Sequence, residues 1–189
     1  MSQTEQNSEL SSALNESARL LSQNRPGEAA AKLELLFKQH PDNENIAVNL
    51  SGAYILQRKW DKAVRVLKKC AQQNPDNAML WANLGAAELG RIETAGPQQQ
   101  RRAIDAYHKA LRADPHAPNV HYHLGLIYKD QGDLMRAMAM FQRATEVNAE
   151  DTDAHYWLKR VIEAGKSDES PTIDGDDMPD EPISDDGHN

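Results

Sequence analysis

The sequence predicts an all-α protein in which antiparallel helix pairs stack into a solenoid. Three observations predict this fold: a repeat of 34 residues, apolar spacing typical of amphipathic helices, and turn-forming residues between the predicted helices. A single repeat is too small to bury its own apolar face, so neighbouring repeats must stack to form a shared core. The 189-residue chain contains only two Phe, which fits an elongated stack better than one large globular core.

The repeat is clearest at the prolines. Pro41 and Pro75 lie 34 residues apart in the similar segments QHPDNENI and QNPDNAML, and Pro115 follows 40 residues later. A small residue lies twelve positions before each of these prolines, and a fourth unit keeps the small residue without the proline: Ala29, Ala63, Ala103 and Ala137. We therefore predict units at about 10–43, 44–77, 78–117 and 118–151, followed by a capping helix at 152–164.

Each unit has the spacing of two amphipathic helices. In the fourth unit, Leu124, Ile127 and Tyr128 form one apolar stripe, and residues 137–144 carry the next. Apolar residues at i, i+3, i+4 and i+7 are typical of one buried helix face. Short segments rich in Gly, Pro and Asn separate the helices, and a proline ends the second helix because it lacks an amide donor.

These positions resemble the tetratricopeptide repeat, whose pattern is W-x2-L-G-x2-Y, then A-x3-F, A and P. The third unit carries the pattern in Trp81, Leu84, Gly85, Ala103, Tyr107, Ala110 and Pro115. The second unit carries it in Leu50, Tyr54, Ala63, Leu67, Cys70 and Pro75, and the fourth in Leu124, Gly125, Tyr128, Ala137, Phe141 and Ala144. The first unit departs from it, with Glu16 at an apolar position. The resemblance covers residues 8–166 and implies a right-handed solenoid whose first helices line a concave groove.

The third unit is six residues longer than the others, and the extra length falls within residues 90–97. Because loop length adds little closure entropy, a tolerated insertion at this turn is one interpretation. The other is a contact with a partner, since loops commonly carry function. The sequence favours the first and leaves the second open.

The resemblance implies that a peptide segment of a partner binds in the concave groove. The positions that match the groove side of the family are Asn15, Val48, Asn49, Leu56, Met79, Asn83, Tyr122, His123 and Leu126. The groove is predicted to be neutral and fairly apolar. The carboxylate clamp known in the family is disfavoured, because its basic positions hold Leu14, Met79 and Asn83 here.

Asn15, Asn49 and Asn83 share one repeat position, which His123 occupies in the fourth unit. This resembles the asparagine ladder of O-linked N-acetylglucosamine transferases, in which amide side chains hold the backbone of an extended peptide. An amide offers both donors and acceptors, so it can pair with any peptide backbone. The alternative is that the asparagines are relics of duplication, although Asn is not favoured in helix interiors for stability.

The acidic charge is concentrated at one end. Residues 167–189 hold nine acids and no Lys or Arg, whereas the chain as a whole has a net charge of −8. We predict a disordered acidic tail over 167–189 and a flexible leader over 1–7. The second helices carry much of the positive charge, and the sequence suggests that the tail lies over them through diffuse, salt-sensitive attraction.

Several classes of function are disfavoured because the sequence lacks their motifs. It has no phosphate-binding loop, nucleophile elbow or zinc-protease motif, so we predict that the protein is not an enzyme. No cofactor is implied, and a single cysteine beside scattered histidines does not predict a metal site. Nucleic-acid binding is disfavoured because the basic helices lack interleaved exposed aromatic residues and the whole chain is acidic. The absence of a signal-like or bilayer-length apolar segment predicts a cytoplasmic protein without a membrane span.

The sequence therefore predicts a scaffold or adaptor that binds a peptide segment of another protein. Two alternatives remain open: an assembly factor or chaperone for an apolar client, and a regulatory subunit of a larger enzyme complex. A weak homodimer formed through the degenerate first unit is also left open.

Overall fold

We analysed a computed structural model, which describes residues 3–167 and the side chains of residues 8–166. This part of the chain is helical throughout and contains no strand, which confirms the predicted fold class. The helices are α1 (Gln3–Ser22), α2 (Pro26–Gln39), α3 (Glu44–Leu56), α4 (Trp60–Gln73), α5 (Ala78–Leu89), α6 (Pro97–Ala113), α7 (Val120–Asp130), α8 (Leu134–Val147) and α9 (Thr152–Ser167), with a short 3₁₀ helix, η1 (Ile92–Thr94).

The ends of the predicted array differ slightly from those observed. Helix α1 begins at Gln3, within the segment predicted as a leader, and α9 extends three residues beyond the predicted end of the capping helix. The predicted acidic tail, apart from its first residue, lies outside the described residues.

Within three of the units, the helix pair turns through a residue in the left-handed conformation. These residues are Asn24, Arg58 and Gly132, with φ angles of 55°, 58° and 76°. The following amide in each case bonds back across the turn to the last part of the first helix, as in Lys59 N–H to the Tyr54 carbonyl at 2.8 Å. This is the Schellman arrangement, which satisfies carbonyl groups at a helix end and permits a three-residue turn.

Between units, the chain makes a second recurrent turn at the repeated prolines, where the second helices were predicted to end. The carbonyl of the residue before each proline accepts a hydrogen bond from the amide three positions on, for example from Asn77 to Asn74 at 3.1 Å. The fourth unit has Ala149 in place of proline and forms the same turn, with Asp151 N–H bonded to the Asn148 carbonyl at 3.1 Å. A polar side chain then caps α3, α5 and α9, as where the oxygen of Asn43 accepts from the Ile46 amide at 3.1 Å. Asn119, before α7, makes no such bond.

The core runs along the stack between the first and second helices of each pair. The four repeated alanines, Ala29, Ala63, Ala103 and Ala137, are completely buried. Larger side chains on the second helices are also fully buried or nearly so: Leu33, Leu67, Tyr107 and Phe141. Cys70 is buried too, in agreement with its assignment as a small apolar residue in the repeat.

The extra length of the third unit falls in a loop and in the helix that follows it. The α5–α6 connection spans residues 90–96 and includes η1, whereas the equivalent connections in the other units have three residues. Helix α6 has 17 residues, compared with 14 in α2, α4 and α8. The loop folds back over the stack, and η1 contacts α7.

The first helices form one layer of the solenoid. Helix α1 contacts α3, and α3 contacts α5. Helices α3, α5 and α7 also pack against the second helices before and after them, and α1 packs against α2. Direct contact between α5 and α7 is sparse, whereas η1 contacts α7. Among the described residues, no helix combines the length and the apolar character needed to cross a bilayer.

Candidate functional site

The predicted groove residues all lie on the first helices, but they differ in exposure. Asn15 is exposed, and Leu56 and Met79 leave 54% and 42% of their surface accessible. The remaining predicted residues are half-buried: Val48, Asn49, Asn83, Tyr122, His123 and Leu126. Leu56 and Met79 are large apolar side chains in contact with solvent, and neither belongs to the buried core.

The shared asparagine position is not chemically uniform along the stack. The Asn49 amide donates to the Asn45 carbonyl of its own helix at 2.8 Å. The Asn83 amide reaches across to α3, where it donates to the Val48 carbonyl at 3.2 Å and the Ser51 hydroxyl at 3.1 Å. Both hydrogens of the Asn83 side-chain amide therefore bond within the protein, and the side-chain carbonyl of Asn83 remains available to accept from a ligand.

In the fourth unit, His123 takes the asparagine position and joins an aromatic cluster. Its ring is stacked on Tyr107 of α6, with ring centroids 5.6 Å apart and planes inclined by 9°. Tyr122 approaches His123 edge-on at 5.7 Å. Burial lowers the pKa of His123. The imidazole therefore favours the neutral form, and this part of the site carries no fixed charge.

Tyr107 brings a buried hydroxyl to the same place. The side chain is 1% exposed, and its hydroxyl oxygen has no hydrogen-bond partner among the described residues. Burial raises the pKa of Tyr107, so the group stays protonated. A buried hydroxyl without a partner is rare in a folded protein, because its desolvation is not compensated.

A cavity of about 440 Å³ lies next to the Tyr107 and His123 side chains, although the Tyr107 hydroxyl itself is buried. Tyr107, His123 and Leu126 line it from α6 and α7. The end of α3 and the beginning of α4 contribute Ile55, Arg58 and Trp60; the end of α5 and the inserted loop contribute Ala86, Leu89, Gly90, Arg91, Ile92 and Glu93. The cavity volume falls within the range of roughly 300–1,000 Å³ that is usual for ligand sites.

The structure thus brings two predicted groove residues, His123 and Leu126, into one cavity. It does not place Leu56 or Met79 in that cavity, although both lie on the same layer of helices. From the sequence, Tyr107 was interpreted only as a packed residue of the repeat. Arg58, Trp60 and Ile92 were not among the predicted groove residues. The one sequence signal for these residues was the 40-residue spacing between prolines, which marked the insertion.

The basic second helices are partly neutralised by acids of the same or a neighbouring helix pair. Lys69 pairs with Asp42 at 3.0 Å, and Arg102 with Glu88 at 2.6 Å. Lys109 pairs with Asp105 at 2.7 Å and also lies over the ring of Trp81. Exposed pairs of this kind contribute little to stability but lower the positive potential of the surface. Within the described part of the chain, no cluster of three or more His, Cys, Asp or Glu side chains is suited to hold a metal ion.

Comparison with known families places the repeats directly. Models described as "Tetratricopeptide repeat" match residues 20–89 and 118–151, and one described as "TPR repeat" matches residues 98–132. The gap from 90 to 97 coincides with the inserted loop. A comparison with curated proteins finds no match.

Solved structures share the fold at low sequence identity. A thermophilic TPR protein of Thermus thermophilus is 19% identical, with a TM-score of 0.70 and coverage of 84% of each chain. MamA (residues 41 to the end) of Desulfovibrio magneticus is 20% identical, with a TM-score of 0.59 and coverage of 85% of this chain and 97% of that one. The solved structures show the shared fold, and the three family matches establish that the chain belongs to the tetratricopeptide-repeat family, whose solenoids are scaffolds for protein–protein interaction.

Proposed function

We propose that this protein is a non-catalytic adaptor that binds an extended segment of another protein along the layer formed by α1, α3, α5 and α7. The observation that carries the proposal is the exposure of large apolar side chains, Leu56 and Met79, on these first helices. A single exposed apolar side chain is common on a soluble protein, but on the helix layer that lines the groove in this family it supplies apolar surface that a bound segment can cover.

The polar groups of this layer are suited to an extended ligand. The exposed amide of Asn15 and the side-chain carbonyl of Asn83 can pair with main-chain groups without selecting particular side chains. These two hydrogen-bonding groups lie two repeats apart, on the same helix layer as the exposed apolar side chains of Leu56 and Met79. Such a surface fits a peptide that contributes both backbone and apolar side chains.

The proposal is tested first by site-specific photocrosslinking in the full chain. We expect a photoreactive phenylalanine analogue at position 56 or 79 to capture a protein from lysate of the source cells. The same analogue at Leu35 or Met135 provides the control, because these two residues are more exposed (62% and 73%) but lie on second helices. Equal capture at all four positions would indicate general stickiness and would contradict a binding surface on the first helices.

Affinity for the captured protein then distinguishes a specific site from nonspecific adhesion. We expect Met79→Asp to weaken binding roughly tenfold or more, because it places an unpaired charge in an apolar contact. Met135→Asp is the matched control and is expected to leave affinity unchanged. If the two variants bind equally well, the first helices do not form the binding surface.

The alternative of a chaperone for apolar clients gives a different result in the same assay. A chaperone is expected to crosslink to many unrelated proteins, whereas an adaptor is expected to crosslink to one or a few. Co-purification with a catalytic chain would support the third possibility, a regulatory subunit.

A further inference from the structure

Two adjoining cavities lie between the second helices α4 and α6. The larger has a volume of about 470 Å³ and is lined by Lys68 of α4 and Arg101 of α6, among others. The smaller, of about 310 Å³, shares Trp81 and Lys109 with it. Because both cavities border the same two side chains, we treat them as one depression and call it the α4–α6 groove. None of the predicted peptide-binding residues lines it.

The base of the α4–α6 groove is held in place by Trp81. This side chain is 7% exposed, and its indole N–H donates to the Pro75 carbonyl at 2.9 Å. The ammonium group of Lys109 lies 4.8 Å from the centre of the Trp81 ring and 2.7 Å from a carboxylate oxygen of Asp105. Cation–π attraction therefore adds to the ion pair at this point. These side chains are fixed before any ligand binds.

Three cations of the α4–α6 groove have no acidic partner. Lys68, Arg101 and Arg112 are exposed, and no carboxylate lies within ion-pair distance of them among the described residues. The other two basic residues of the groove are each paired with an acid that also lines it. With Asp76 as the third acid, five basic and three acidic side chains give a formal charge of +2. An anionic ligand would therefore gain ion pairs without displacing existing ones.

The same chain contains a segment of matching charge. Residues 174–186 hold seven acids and no Lys or Arg. The nineteen residues from 168 to 186 follow the end of α9, and an extended chain of this length spans at most about 65 Å. Helix α9 packs on α8, α8 on α7 and α7 on α6, with each step about 8–10 Å. The acids are therefore within reach of the groove.

We propose that the α4–α6 groove is a docking site for an acidic segment and that residues 174–186 of the same chain occupy it. Their carboxylates pair with Lys68, Arg101 and Arg112. Exposed ion pairs are individually weak, so this groove would hold a separate acidic peptide only loosely. Attachment to the same chain changes this balance, because a tethered segment has an effective concentration in the millimolar range. The attraction expected from the sequence is thereby concentrated in one place.

The experiment treats the full chain with a carbodiimide, which joins a carboxylate to a lysine amine where the two are in contact. Residues 167–189 contain no Lys or Arg, so trypsin leaves them in one peptide that mass spectrometry identifies. We expect this peptide to be joined to Lys68 about fivefold more often than to Lys38 or Lys69, a ratio that corresponds to one favourable ion pair. Lys69 is the closest control, since it adjoins Lys68 and 70% of its side chain is exposed. Equal yields at the three lysines would overturn the assignment, because they would show diffuse attraction.

A pair of variants tests the groove without removing the lysine that reports on it. Arg101→Gln with Arg112→Gln removes two of the three unpaired cations, and we expect the yield at Lys68 to fall about fivefold or more. Arg143→Gln with Arg160→Gln is the matched control: it changes the net charge equally, and its residues are closer in sequence to the acidic segment. All four arginines are exposed, so neither variant disturbs the core. An equal loss in both variants, or no loss in the first, would contradict a site in the α4–α6 groove.

Other occupants of the groove give different results. Ordinary and ¹⁵N-labelled chains are mixed in equal amounts before the reaction, and we expect every joined pair of peptides to carry a single isotope. Pairs of mixed isotope at the random frequency would place the segment of one copy on another copy and contradict occupation within one chain. If Lys68 is not joined to the segment, yet Arg101→Gln with Arg112→Gln loses heparin binding and its control does not, the groove takes an external polyanion and the proposed occupant is wrong.

Discussion

Side-chain size is matched in pairs between the first and second helices of each unit. Units one and two have fully buried serines, Ser17 and Ser51, on the first helix, and leucines at the corresponding place on the second. Units three and four have glycine and an aromatic ring instead. A Cβ atom at Gly85 would lie 2.6 Å from the Tyr107 ring, and one at Gly125 would lie 2.7 Å from the Phe141 ring. The larger residue therefore requires the smaller one opposite it.

We expect Gly125→Ala to lower the free energy of unfolding by about 1–3 kcal/mol, because the fully buried Phe141 ring cannot move away without disturbing the core. The measurement is chemical denaturation of the full chain. Adding Phe141→Leu, which copies the second unit, is expected to recover part of the loss relative to the sum of the single effects. Gly52→Ala is the control, since nothing lies within 4 Å of its Cβ position.

The control variant should be stabilised by up to about 1 kcal/mol, because alanine is a better helix former than glycine. If Gly52→Ala and Gly125→Ala change stability by the same amount in the same direction, the close contact between α7 and α8 is not what constrains position 125.

A second prediction concerns pH and the buried His123. Burial lowers its pKa below the ordinary value of 6.5, so in this range the unfolded chain binds more protons than the folded one at this residue. Its contribution to stability is therefore lost progressively as the pH falls below about 6.5. We expect the melting temperature to fall between pH 7.5 and 5.5, and to fall less in His123→Asn.

Asparagine is the appropriate replacement, since units two and three carry it at this position. The pKa of His121 is also lowered, mainly by burial, so His121→Asn should remove a separate part of the same pH dependence. A pH dependence that is identical in the natural protein and in His123→Asn would show that the imidazole titrates as freely as in the unfolded chain.

At the scale of the element, the turns between units recur more faithfully than the residues that form them. Four turns have the same hydrogen bond between the first and fourth residues, although only three of them contain proline. In the fourth, Asn148 is extended, with φ of −139° and ψ of 98°, a conformation compatible with a following proline. The hydrogen bonds that define this turn use the amides of Glu150 and Asp151.

Ala149→Pro should therefore stabilise the protein by about 0.4–1 kcal/mol, because it restricts the unfolded chain without removing a bond of the turn. Thermal unfolding monitored by circular dichroism provides the measurement. Glu150→Pro is the control, and we expect it to be destabilising because it removes the 3.1 Å hydrogen bond from the Glu150 amide to Asn148. Destabilisation by Ala149→Pro would mean that the fourth turn differs in backbone from the other three.

The helices and their order were predictable from the sequence because the repeat makes the same physical demands several times. Prolines, alanines and left-handed turn positions recur at fixed spacing, so each unit supports the interpretation of the others. The cavity was not predictable in this way, because it depends on the path of a loop that occurs once. The shared position of Asn49 and Asn83 also concealed a difference, since only Asn83 bonds to the neighbouring first helix.

For the whole molecule, charge is the property that the repeats do not explain. Residues 1–166 contain 21 basic and 20 acidic side chains and so carry a charge of +1, whereas the nine acids of residues 167–189 bring the net charge to −8. Lys68 and Arg101 line a second cavity of about 470 Å³ on the second-helix side, together with Trp81. An acidic segment would compete with external polyanions for such groups.

We expect replacement of the nine acids in residues 167–189 by their amides to increase binding to heparin at low salt. The increase should disappear at about 0.5 M salt, where the screening length falls to a few ångströms. Affinity for a partner on the first helices should stay within about twofold, because few charges line that surface. A large gain in partner affinity without a gain in heparin binding would instead indicate that the acids block the first helices.

The matched pairs of small and large residues also bear on how the repeats avoid misfolding. Similar helices in one chain can dock in the wrong register, and incorrect pairing is a characteristic failure of repeat proteins during folding. If α3 paired with α6 in place of α4, Ser51 would clash with the Tyr107 ring. If α5 paired with α4 in place of α6, a void would remain between Gly85 and Leu67. Both errors lose packing energy that the native pairs retain. The complementary side-chain volumes of each native helix pair therefore favour the native pairing of the helices over incorrect pairings.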